Sequence, residues 1–264
     1  MPDAIAFHAF PLAGIEPMSA STARAYPRHT HDQYGIGLVD AGGHASWSGR
    51  GQVEAGPGCF ISVNPGEVHD GRAIGGRPRA WRILYFEPAT LAELRADVLE
   101  GTARSFTFAA PVFADHRLHR LFNAAFRHRS RQGETMTCET AILRLVARLG
   151  VHSTVRSGRD AEPSVCIRRA RDRIDADPAA PLTLVELARE AGLSRYQLIR
   201  GFTRELGLTP HAYILQRRIA LAQRLIRARR DLAEVAIVAG FCDQSHLTRW
   251  FVRQFGVTPR RYAV

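Results

Sequence analysis

Lysine is absent from this chain of 264 residues, and all 36 of its basic residues are arginine. No stretch approaches the roughly 18 consecutive apolar residues that a membrane helix needs, so no membrane-spanning segment is expected. The four cysteines are scattered without a C-x-x-C pair, which argues against a zinc ribbon or a disulfide framework. Scattered thiols also favour a reducing compartment. The first residues include Asp3 and lack a basic segment, so we predict no secretion signal and expect a cytoplasmic protein.

The positive charge is concentrated in the last part of the chain. The formal net charge is +11 at pH 7, and residues 163–264 hold 18 arginines against 9 acidic residues. Residues 1–162 hold 18 arginines against 16 acidic residues. Because each guanidinium is a planar fork suited to phosphate or guanine, this imbalance indicates a polyanionic partner for the C-terminal part.

The hydrophobic pattern divides the chain into a strand-rich part and a helical part. Between about residues 22 and 87, short apolar pieces alternate with Gly, Pro and Asp, which is typical of an antiparallel sandwich or barrel. Amphipathic helices are then predicted at 90–101, 114–130 and 139–150. We predict an α+β protein with an antiparallel β-barrel and flanking helices in 1–150, a polar linker in 151–163 and an all-α domain in 164–264.

Local signals define the helices of the last hundred residues. Thr183 with Glu186, and Ser194 with Gln197, fit capping boxes, and Asp231 is a suitable N-cap. Thr-Pro pairs at 209–210 and 258–259 each place a capping residue before a proline at the first helical position. The predicted helices are about 164–176, 183–191, 195–206, 210–228, 232–239, 244–255 and a last turn from 259.

One unit occurs twice in this helical part. Each copy consists of a helix, a short turn with glycine, a second helix, another glycine and Thr-Pro, which is a helix-turn-helix pattern. The first three matches are 48 residues apart and the later ones 49 residues apart. The pairs include Ala188/Ala236, Gly192/Gly240, Leu198/Leu247, Arg200/Arg249, Phe202/Phe251, Arg204/Arg253, Gly207/Gly256 and Tyr213/Tyr262.

The second helix of each copy has one apolar side and one polar side. At 100° per residue, Leu198, Phe202 and Leu206 share an inner face, as do Leu247, Phe251 and Phe255 in the other copy. The opposite faces carry arginines with small or amphipathic residues, a set suited to base edges in a major groove. The helix between the copies is about 28 Å long. That length is close to the ~34 Å of one duplex turn, so we predict that the two copies contact successive grooves.

The segment 164–264 resembles the double helix-turn-helix domain of the AraC/XylS family of bacterial transcription regulators. "AGFCDQSHLTRWFVRQFGVTPRRY" is close to the family signature. The resemblance implies a sequence-specific regulator that binds promoter or operator DNA through helices 195–206 and 244–255. It also implies a homodimer that contacts RNA polymerase and responds to a small-molecule effector. The implied base contacts are Tyr196, Ile199, Arg200, Gln244, Ser245, His246 and Arg249. Geometry and charge add Arg204 and Arg253 as phosphate contacts.

The polar hot spots of the first part are "HTHDQYGIGL" at 29–38 and "PGEVHDG" at 65–71. They resemble the two short motifs of cupin barrels, which many AraC-type regulators carry as an effector domain. An H-x-H pair sends both imidazoles to one face, and the turn at Pro65-Gly66 can return His69 toward them. The candidate effector-binding residues are His29, His31, Gln33, Trp47, Glu67 and His69.

The histidines leave three interpretations open. They line a small-molecule site, serve the fold alone, or hold a divalent metal through His29, His31 and His69. The glutamate that metal cupins carry after H-x-H is absent, with Gly35, Ile36 and Gly37 in its place, so the site has at most three protein ligands, a number that would still suffice for an open zinc site. Lining of a small-molecule site is the preferred interpretation, and no cofactor is expected. A rival function is a metal-dependent cupin enzyme with a helical accessory domain. That enzyme needs a catalytic metal and a general base near it, for which the sequence offers three histidines and Glu67 but no more, and a non-enzymatic regulator is preferred.

Two further segments carry alternative predictions. The first twenty residues are either an arm that closes over the effector or a frayed terminus. The helices at 114–130 and 139–150 either mediate self-association or cover the barrel.

Overall fold

The computed structural model describes residues 3–48, 51–101, 105–128, 135–154 and 163–262. The chain forms two compact units, Met1–Asp160 and Ala161–Val264. Within the described residues, no helix combines the length and the apolar character that crossing a bilayer requires.

Antiparallel strands and three helices build the first unit. Its helices are α1 (Pro88–Val98), α2 (His116–Phe126) and α3 (Thr135–Leu149), with 3-10 turns at Ile74–Gly76 and Gly150–His152. Its strands are β1 (Ala4–Phe7), β2 (Ile15–Thr22), β3 (Tyr26–His29), β4 (Tyr34–Ala41), β5 (His44–Ser48), β6 (Gly51–Ala55), β7 (Cys59–Val63), β8 (His69–Ala73), β9 (Arg79–Phe86), β10 (Thr107–Phe108), β11 (Val112–Ala114) and β12 (Ser153–Thr154).

Two larger sheets face each other in this unit. One has the order β1-β2-β9-β4-β7-β11 and the other β3-β8-β5-β6, while β10 and β12 form a separate pair. Side chains of the two sheets meet between them, since the His31 and Tyr85 rings lie 5.3 Å apart and the Tyr26 and Trp81 rings 6.2 Å apart. The predicted class, antiparallel β-structure with flanking helices followed by an all-α domain, is confirmed.

The two faces of strand β9 line two different buried regions of the first unit. Its residues alternate, so Arg79, Trp81, Ile83 and Tyr85 face the space between the sheets. Leu84 and Phe86 belong to the apolar core on the other face, together with residues of α2 and α3. The six-stranded sheet therefore has its apolar core on the helix side, and polar and aromatic groups can collect on the side that faces the second sheet.

The amino-terminal residues are part of the sheet. Strand β1 pairs with β2, with Ala4 opposite Ser21, and β2 pairs with β9 along its whole length. Both predictions for the first twenty residues, a closing arm and a frayed terminus, are therefore wrong. The sequence signal was weak because β2 contains Pro17 and mixed polarity, and its hydrogen bonds go to a strand about 65 residues further along the chain.

Helices α2 and α3 cover the six-stranded sheet. Leu118, Phe122, Ile142 and Leu145 are fully buried in the core that they share with the sheet. The apolar stripes for which self-association was one prediction are thus buried inside one chain.

The predicted linker, 151–163, starts later than expected, because Ser153 and Thr154 pair with β10. Residues 155–162 of that linker lie outside the described residues.

The second unit is helical throughout its described residues, and its predicted N-caps are confirmed. Thr183 and Ser194 each form a complete capping box, and Asp231 and Thr209 accept hydrogen bonds from the first helical turns. The helices are α4 (Val165–Ala176), α5 (Leu184–Ala191), α6 (Arg195–Leu206), α7 (Pro210–Arg227), α8 (Leu232–Val238), α9 (Gln244–Phe255) and α10 (Pro259–Tyr262). Helix α7 contacts α6, α8 and α9.

A glycine in the middle of α6 is explained by its neighbour. Gly201 costs about 1 kcal/mol of helix propensity relative to alanine. A Cβ atom at this position would lie 2.7 Å from Cδ1 of Ile167 on α4, closer than real Cβ contacts allow. The glycine therefore lets α4 and α6 pack closely, with Ile167, Leu198 and Phe202 in one core.

Candidate DNA interface and effector site

Helix α6 presents a polar face to solvent. Leu198 and Phe202 are completely buried beneath it. The predicted DNA contacts Tyr196, Ile199, Arg200 and Arg204 are all exposed, and Tyr196 is 67% exposed. The Arg200 guanidinium lies 5.6 Å from the centre of the Tyr196 ring, which holds two of these side chains side by side. Arg204 forms a salt bridge with its neighbour Glu205, so part of its charge is neutralised locally.

Helix α9 repeats this arrangement. Leu247 and Phe251 are completely buried, whereas the predicted contacts Gln244, Ser245, Arg249 and Arg253 are exposed. The Arg253 guanidinium lies 5.0 Å from the centre of the Trp250 ring. Asp243 caps the helix by accepting a hydrogen bond from the His246 backbone, so the first turn of α9 is rigidly held.

His246 differs from the other predicted DNA contacts of α9. Trp250 donates its indole N–H to Nε2 of His246 at 2.9 Å, and the Phe241 ring lies edge-on at 5.3 Å. Nε2 is therefore an acceptor, and Nδ1 also lies at 3.4 Å from the backbone N–H of Cys242, which donates to it. The half-buried His246 thus orients Trp250 and, through it, Arg253. Both ring nitrogens thus have partners inside the helical unit, and the contact of His246 with DNA stays a prediction.

Arg218 of α7 joins the two helix-turn-helix copies, a role that no sequence motif predicts. Its Nε donates to the Pro178 carbonyl at 2.8 Å, and its Nη1 donates to the Gly240 carbonyl at 2.7 Å. Its Nη2 donates to the carbonyls of Ala180 at 3.0 Å and Ala179 at 3.4 Å. One guanidinium therefore connects the turn before α5 to the turn before α9. Carbonyl acceptors leave no sequence pattern, so only the structure reveals this role.

Three imidazoles meet between the two sheets of the first unit. His29 of β3 lies directly opposite His69 of β8 in the strand register, and their ring centres are 4.3 Å apart. The His31 ring lies 4.8 Å from His29 and 5.1 Å from His69. The backbone N–H of Gly66 donates to the His31 carbonyl at 2.8 Å, so the turn after Pro65 is tied to the H-x-H segment. The predicted grouping, here called the histidine triad, is present.

Backbone carbonyls fix the orientation of two members of the triad. Nδ1 of His29 donates to the Pro27 carbonyl at 2.7 Å, and Nδ1 of His69 donates to the Glu67 carbonyl at 3.0 Å. Both rings therefore keep Nε2 unprotonated. Burial lowers the pKa of His29 to about 3 and that of His69 to about 4, and it lowers the pKa of His31 well below its ordinary value. All three imidazoles are neutral at pH 7.

The other candidate effector residues have different partners. The Glu67 carboxylate accepts hydrogen bonds from the backbone and side chain of Asn64, so only its carbonyl reaches the triad. Gln33 is buried and donates to Glu87 at 3.0 Å. Trp47 lies under the exposed Arg28 guanidinium at 3.9 Å and contributes no ring contact to the triad. The Glu67 carboxylate and the Trp47 ring are thus engaged with other protein groups, and their contact with an effector stays a prediction.

Gly35, Ile36 and Gly37 occupy the segment in which metal cupins carry a glutamate ligand. Gly35 and Gly37 lie opposite Tyr85 and Ile83 and share their face. A Cβ on Gly35 would lie 3.2 Å from Cδ1 of Ile83, and one on Gly37 would lie 2.9 Å from Cγ1 of Ile61. Neighbouring side chains thus already occupy the space that a longer residue would need.

Arg79 is a second polar feature of the same interior. It is only 1% exposed, donates to Nδ1 of His44 at 2.9 Å and to the Arg24 carbonyl at 3.0 Å, and lies over the Trp81 ring at 4.7 Å. No carboxylate of the described residues forms a salt bridge with it, and its Nη2 has no hydrogen-bond acceptor. The buried hydroxyls of Tyr26 and Thr30 also lack partners within the described part of the chain. Buried polar groups are normally paired, so these atoms have hydrogen-bonding capacity that the described residues do not use.

We predict that His44 makes the first unit acid-sensitive. Burial, followed by the Arg79 charge, lowers the pKa of His44 to about 4, against about 6.5 in an unfolded chain. Between about pH 6.5 and pH 4, His44 therefore binds a proton in the unfolded chain but stays neutral in the folded chain. The stability is therefore fully present above pH 6.5 and falls as the pH approaches 4. In urea unfolding with EDTA, His44→Gln should reduce the loss between pH 7.5 and 5.0 by about 2 kcal/mol. An unchanged loss would contradict this assignment.

Two protein families match consecutive parts of the chain. Residues 12–146, just over half of the sequence, match the AraC-like ligand binding domain, and residues 187–263 match a helix-turn-helix domain. The chain belongs to the AraC family of transcriptional regulators. It is accordingly a ligand-responsive, DNA-binding transcription regulator with an effector domain followed by a helix-turn-helix domain.

Individual relatives support this membership. An uncharacterized HTH-type transcriptional regulator of Bacillus subtilis strain 168, YbfI, is 28% identical over 231 residues, which are 84% of this chain and 81% of that protein. LumQ, a probable transcriptional regulator of Photobacterium leiognathi, is 38% identical over 31% of this chain and 33% of its own. The fold is similar to that of fatty-acid-bound ToxT from Vibrio cholerae strain SCE256, with a TM-score of 0.60 and 11% identity over 96% of this chain and 95% of ToxT.

Proposed function

We propose that α6 and α9 read two successive major grooves of one operator. The observation that carries this proposal is the shared design of the two helices, each with a buried apolar face and an exposed arginine face. Helix α7 contacts both of them and, with 18 residues at 1.5 Å each, is about 27 Å long. That length is close to one turn of B-DNA, about 34 Å.

Within each helix the contacts have different tasks. We assign base-edge contacts to Tyr196, Ile199 and Arg200 of α6, and to Gln244, Ser245 and Arg249 of α9. Arginine can donate two hydrogen bonds to guanine, and glutamine can pair with adenine in the same way. Arg204 and Arg253 are assigned to phosphates, which set affinity without reading sequence. The Arg253 side chain is already supported by Trp250.

The test measures specificity rather than affinity alone. Full-length protein is titrated, by fluorescence anisotropy, against DNA from upstream of its own gene and against random DNA of equal length. Arg200→Ala and Arg249→Ala should each lose about 1–3 kcal/mol on the specific site and far less on random DNA. Arg253→Ala should weaken binding to both DNAs alike and lower the salt slope by about one phosphate contact.

A matched control removes one positive charge elsewhere in the same unit. Arg171 of α4 is paired with Asp172 and lies outside both recognition helices, so Arg171→Ala should leave the ratio of specific to random binding unchanged. Equal losses on both DNAs for Arg200→Ala and Arg249→Ala would remove the assignment of base contacts.

We place the effector between the two sheets of the first unit. The neutral histidine triad supports this position, as do the Tyr26 hydroxyl and Arg79 Nη2, which have no hydrogen-bond partner among the described residues. A guest with acceptor oxygen atoms would satisfy these donors. The effector set is therefore His29, His31 and His69, as in the sequence prediction, extended by Tyr26, Arg79 and Tyr85. Gln33 contributes by tying the loop before β4 to the end of β9.

The remaining partners follow from family membership and are proposals. The regulator would act as a homodimer in the cytoplasm, contact RNA polymerase and have no enzymatic activity. None of the findings favours the rival interpretation as a cupin enzyme. Since the stripes of α2 and α3 are buried, a dimer would need another surface, and exposed apolar groups on this unit include Met136 and Val151.

A further inference from the structure

We propose that the histidine triad binds one divalent first-row transition-metal ion through three imidazole nitrogens. The inference deepens the proposed effector site, on whose position between the sheets it rests. Within the described residues, the triad is the group of histidine, cysteine and acidic side chains whose geometry can hold a metal. One ligand atom from each ring lies within 4.8 Å of the other two.

The spacing is close to that of a three-histidine metal centre. Three nitrogens on one tetrahedral zinc ion, each at about 2.0–2.1 Å, lie about 3.3 Å apart. The ligand atoms, which lie within 4.8 Å of one another, therefore need to approach each other by up to about 1.5 Å. The strands already hold His29 and His69 opposite each other, and His31 follows β3 in the loop, so we expect its side chain to make the larger adjustment.

Hydrogen bonds behind the triad have the form that metal-binding histidines require. Such histidines nearly always donate the other ring N–H to a carbonyl or a carboxylate, which fixes the ring and its tautomer. His29 and His69 donate to the carbonyls of Pro27 and Glu67 in this way. If the triad served the fold alone, its members would be expected to hydrogen-bond one another. Instead, the two fixed tautomers leave Nε2 atoms that cannot donate to each other.

The chemistry of the donors selects the class of ion. Neutral imidazole nitrogen suits zinc, copper, nickel and iron, whereas calcium and magnesium prefer oxygen. Three protein ligands leave at least one coordination position open on a tetrahedral ion. No carboxylate joins this group within the described chain, so the ion keeps its full positive charge. The open position is therefore suited to an oxygen donor, from water or from an anionic effector.

The experiment uses full-length protein that has been treated with EDTA and dialysed. Titration with Zn²⁺ and Co²⁺ should give one ion per chain by elemental analysis, and bound Co²⁺ should show visible d–d absorption. His29→Ala, His31→Ala and His69→Ala should each lower the affinity at least ~100-fold, since even the loss of outer hydrogen-bond partners costs ~10–100-fold. His116→Ala, at the exposed start of α2, should bind like the wild type.

Acetate serves as the probe of the open position. Its addition to the Co²⁺-loaded protein should change the absorption spectrum, because a carboxylate oxygen enters the coordination sphere. An unchanged spectrum at saturating acetate would overturn the open position. X-ray absorption of the Zn²⁺-loaded wild type should show scattering from three imidazoles, and this measurement decides the ligand set even if a triad variant does not fold.

Two outcomes overturn the proposal. One is the absence of stoichiometric binding by the wild type, and the other is binding that all three triad variants retain. Binding to upstream DNA is measured on the same metal-free sample. A chain that binds no ion but still discriminates operator from random DNA removes the metal inference and leaves the proposed function intact.

Discussion

Replacing Arg218 with alanine is expected to destabilise the second unit by about 3–5 kcal/mol. The guanidinium donates hydrogen bonds to carbonyls of Pro178 and Ala180, before the first helix-turn-helix copy, and of Gly240, in the turn of the second copy. Each hydrogen bond from a charged donor contributes about 1.5–3 kcal/mol. Without it, the Gly240 and Pro178 carbonyls lose their donors. Urea unfolding followed by the circular dichroism of the helices measures the loss.

Arg218→Lys separates charge from geometry. An ammonium group has three donors on one atom and cannot reach carbonyls that a planar fork contacts on opposite sides, so lysine should recover little of the stability. Arg224→Ala, on an exposed position of the same helix, should change the free energy of unfolding by less than about 1 kcal/mol. If Arg218→Ala were as mild as this control, the junction would have no structural importance.

The same variant connects stability with function. Without the Arg218 junction, α6 and α9 would move more freely relative to each other. Binding to an operator with two half-sites would then cost more conformational entropy. We expect Arg218→Ala, at a temperature where it remains folded, to weaken binding to the full operator more than binding to an isolated half-site.

Gly240→Ala is expected to cost about 2–5 kcal/mol, considerably more than Gly192→Ala. The two glycines occupy equivalent turns of the repeat and both have left-handed backbone, with φ of +81° and +67°. A Cβ on Gly240 would lie 2.9 Å from the Ala179 Cα and 2.9 Å from Nε of Arg218, whereas no non-neighbouring atom of the described residues lies within 4 Å of one on Gly192. Left-handed backbone alone costs about 1–2 kcal/mol, and overpacking adds about 1–3 kcal/mol at Gly240.

The comparison has a clear measurement. Urea midpoints of the two alanine variants, taken with the wild type, separate the backbone cost from the steric cost. Equal destabilisation at both positions would show that the contact of Gly240 with the 178–180 segment does not matter, and would also weaken the structural role given to Arg218.

Much of the helical unit was predictable because its signals are local. The limits of α6 and α9 agree with the predicted 195–206 and 244–255, since a capping side chain and the glycine after the last turn lie within the same short segment. The inner and outer faces of both helices follow from the 3.6-residue period alone. The local pattern does not explain Gly201, because this glycine makes room for the Ile167 side chain on another helix.

The first unit was less predictable because its partners are distant in sequence. The H-x-H segment and the turn before His69 correctly indicated that three imidazoles meet. Glu67 and Trp47 looked equally suitable, yet one carboxylate caps a turn and one indole supports an exposed arginine. The alternation along a strand predicts on which face of the sheet a side chain lies. It does not predict which residue of the opposing sheet that side chain will contact.

The amino-acid sequence by itself determined the family, the two-part organisation, the repeat and the polar faces of the recognition helices, because these depend on composition, periodicity and short motifs. Only the tertiary structure decided that β1 and β2 belong to the sheet and that α2 and α3 bury their stripes. The tertiary structure alone decided that Arg79 is buried with no counter-charge among the described residues. It also decided that Arg218 joins the two copies. The physical reason is that such contacts join segments far apart in the chain, where hydrogen-bond donors and cavities are matched by packing and leave no periodic signal in the sequence.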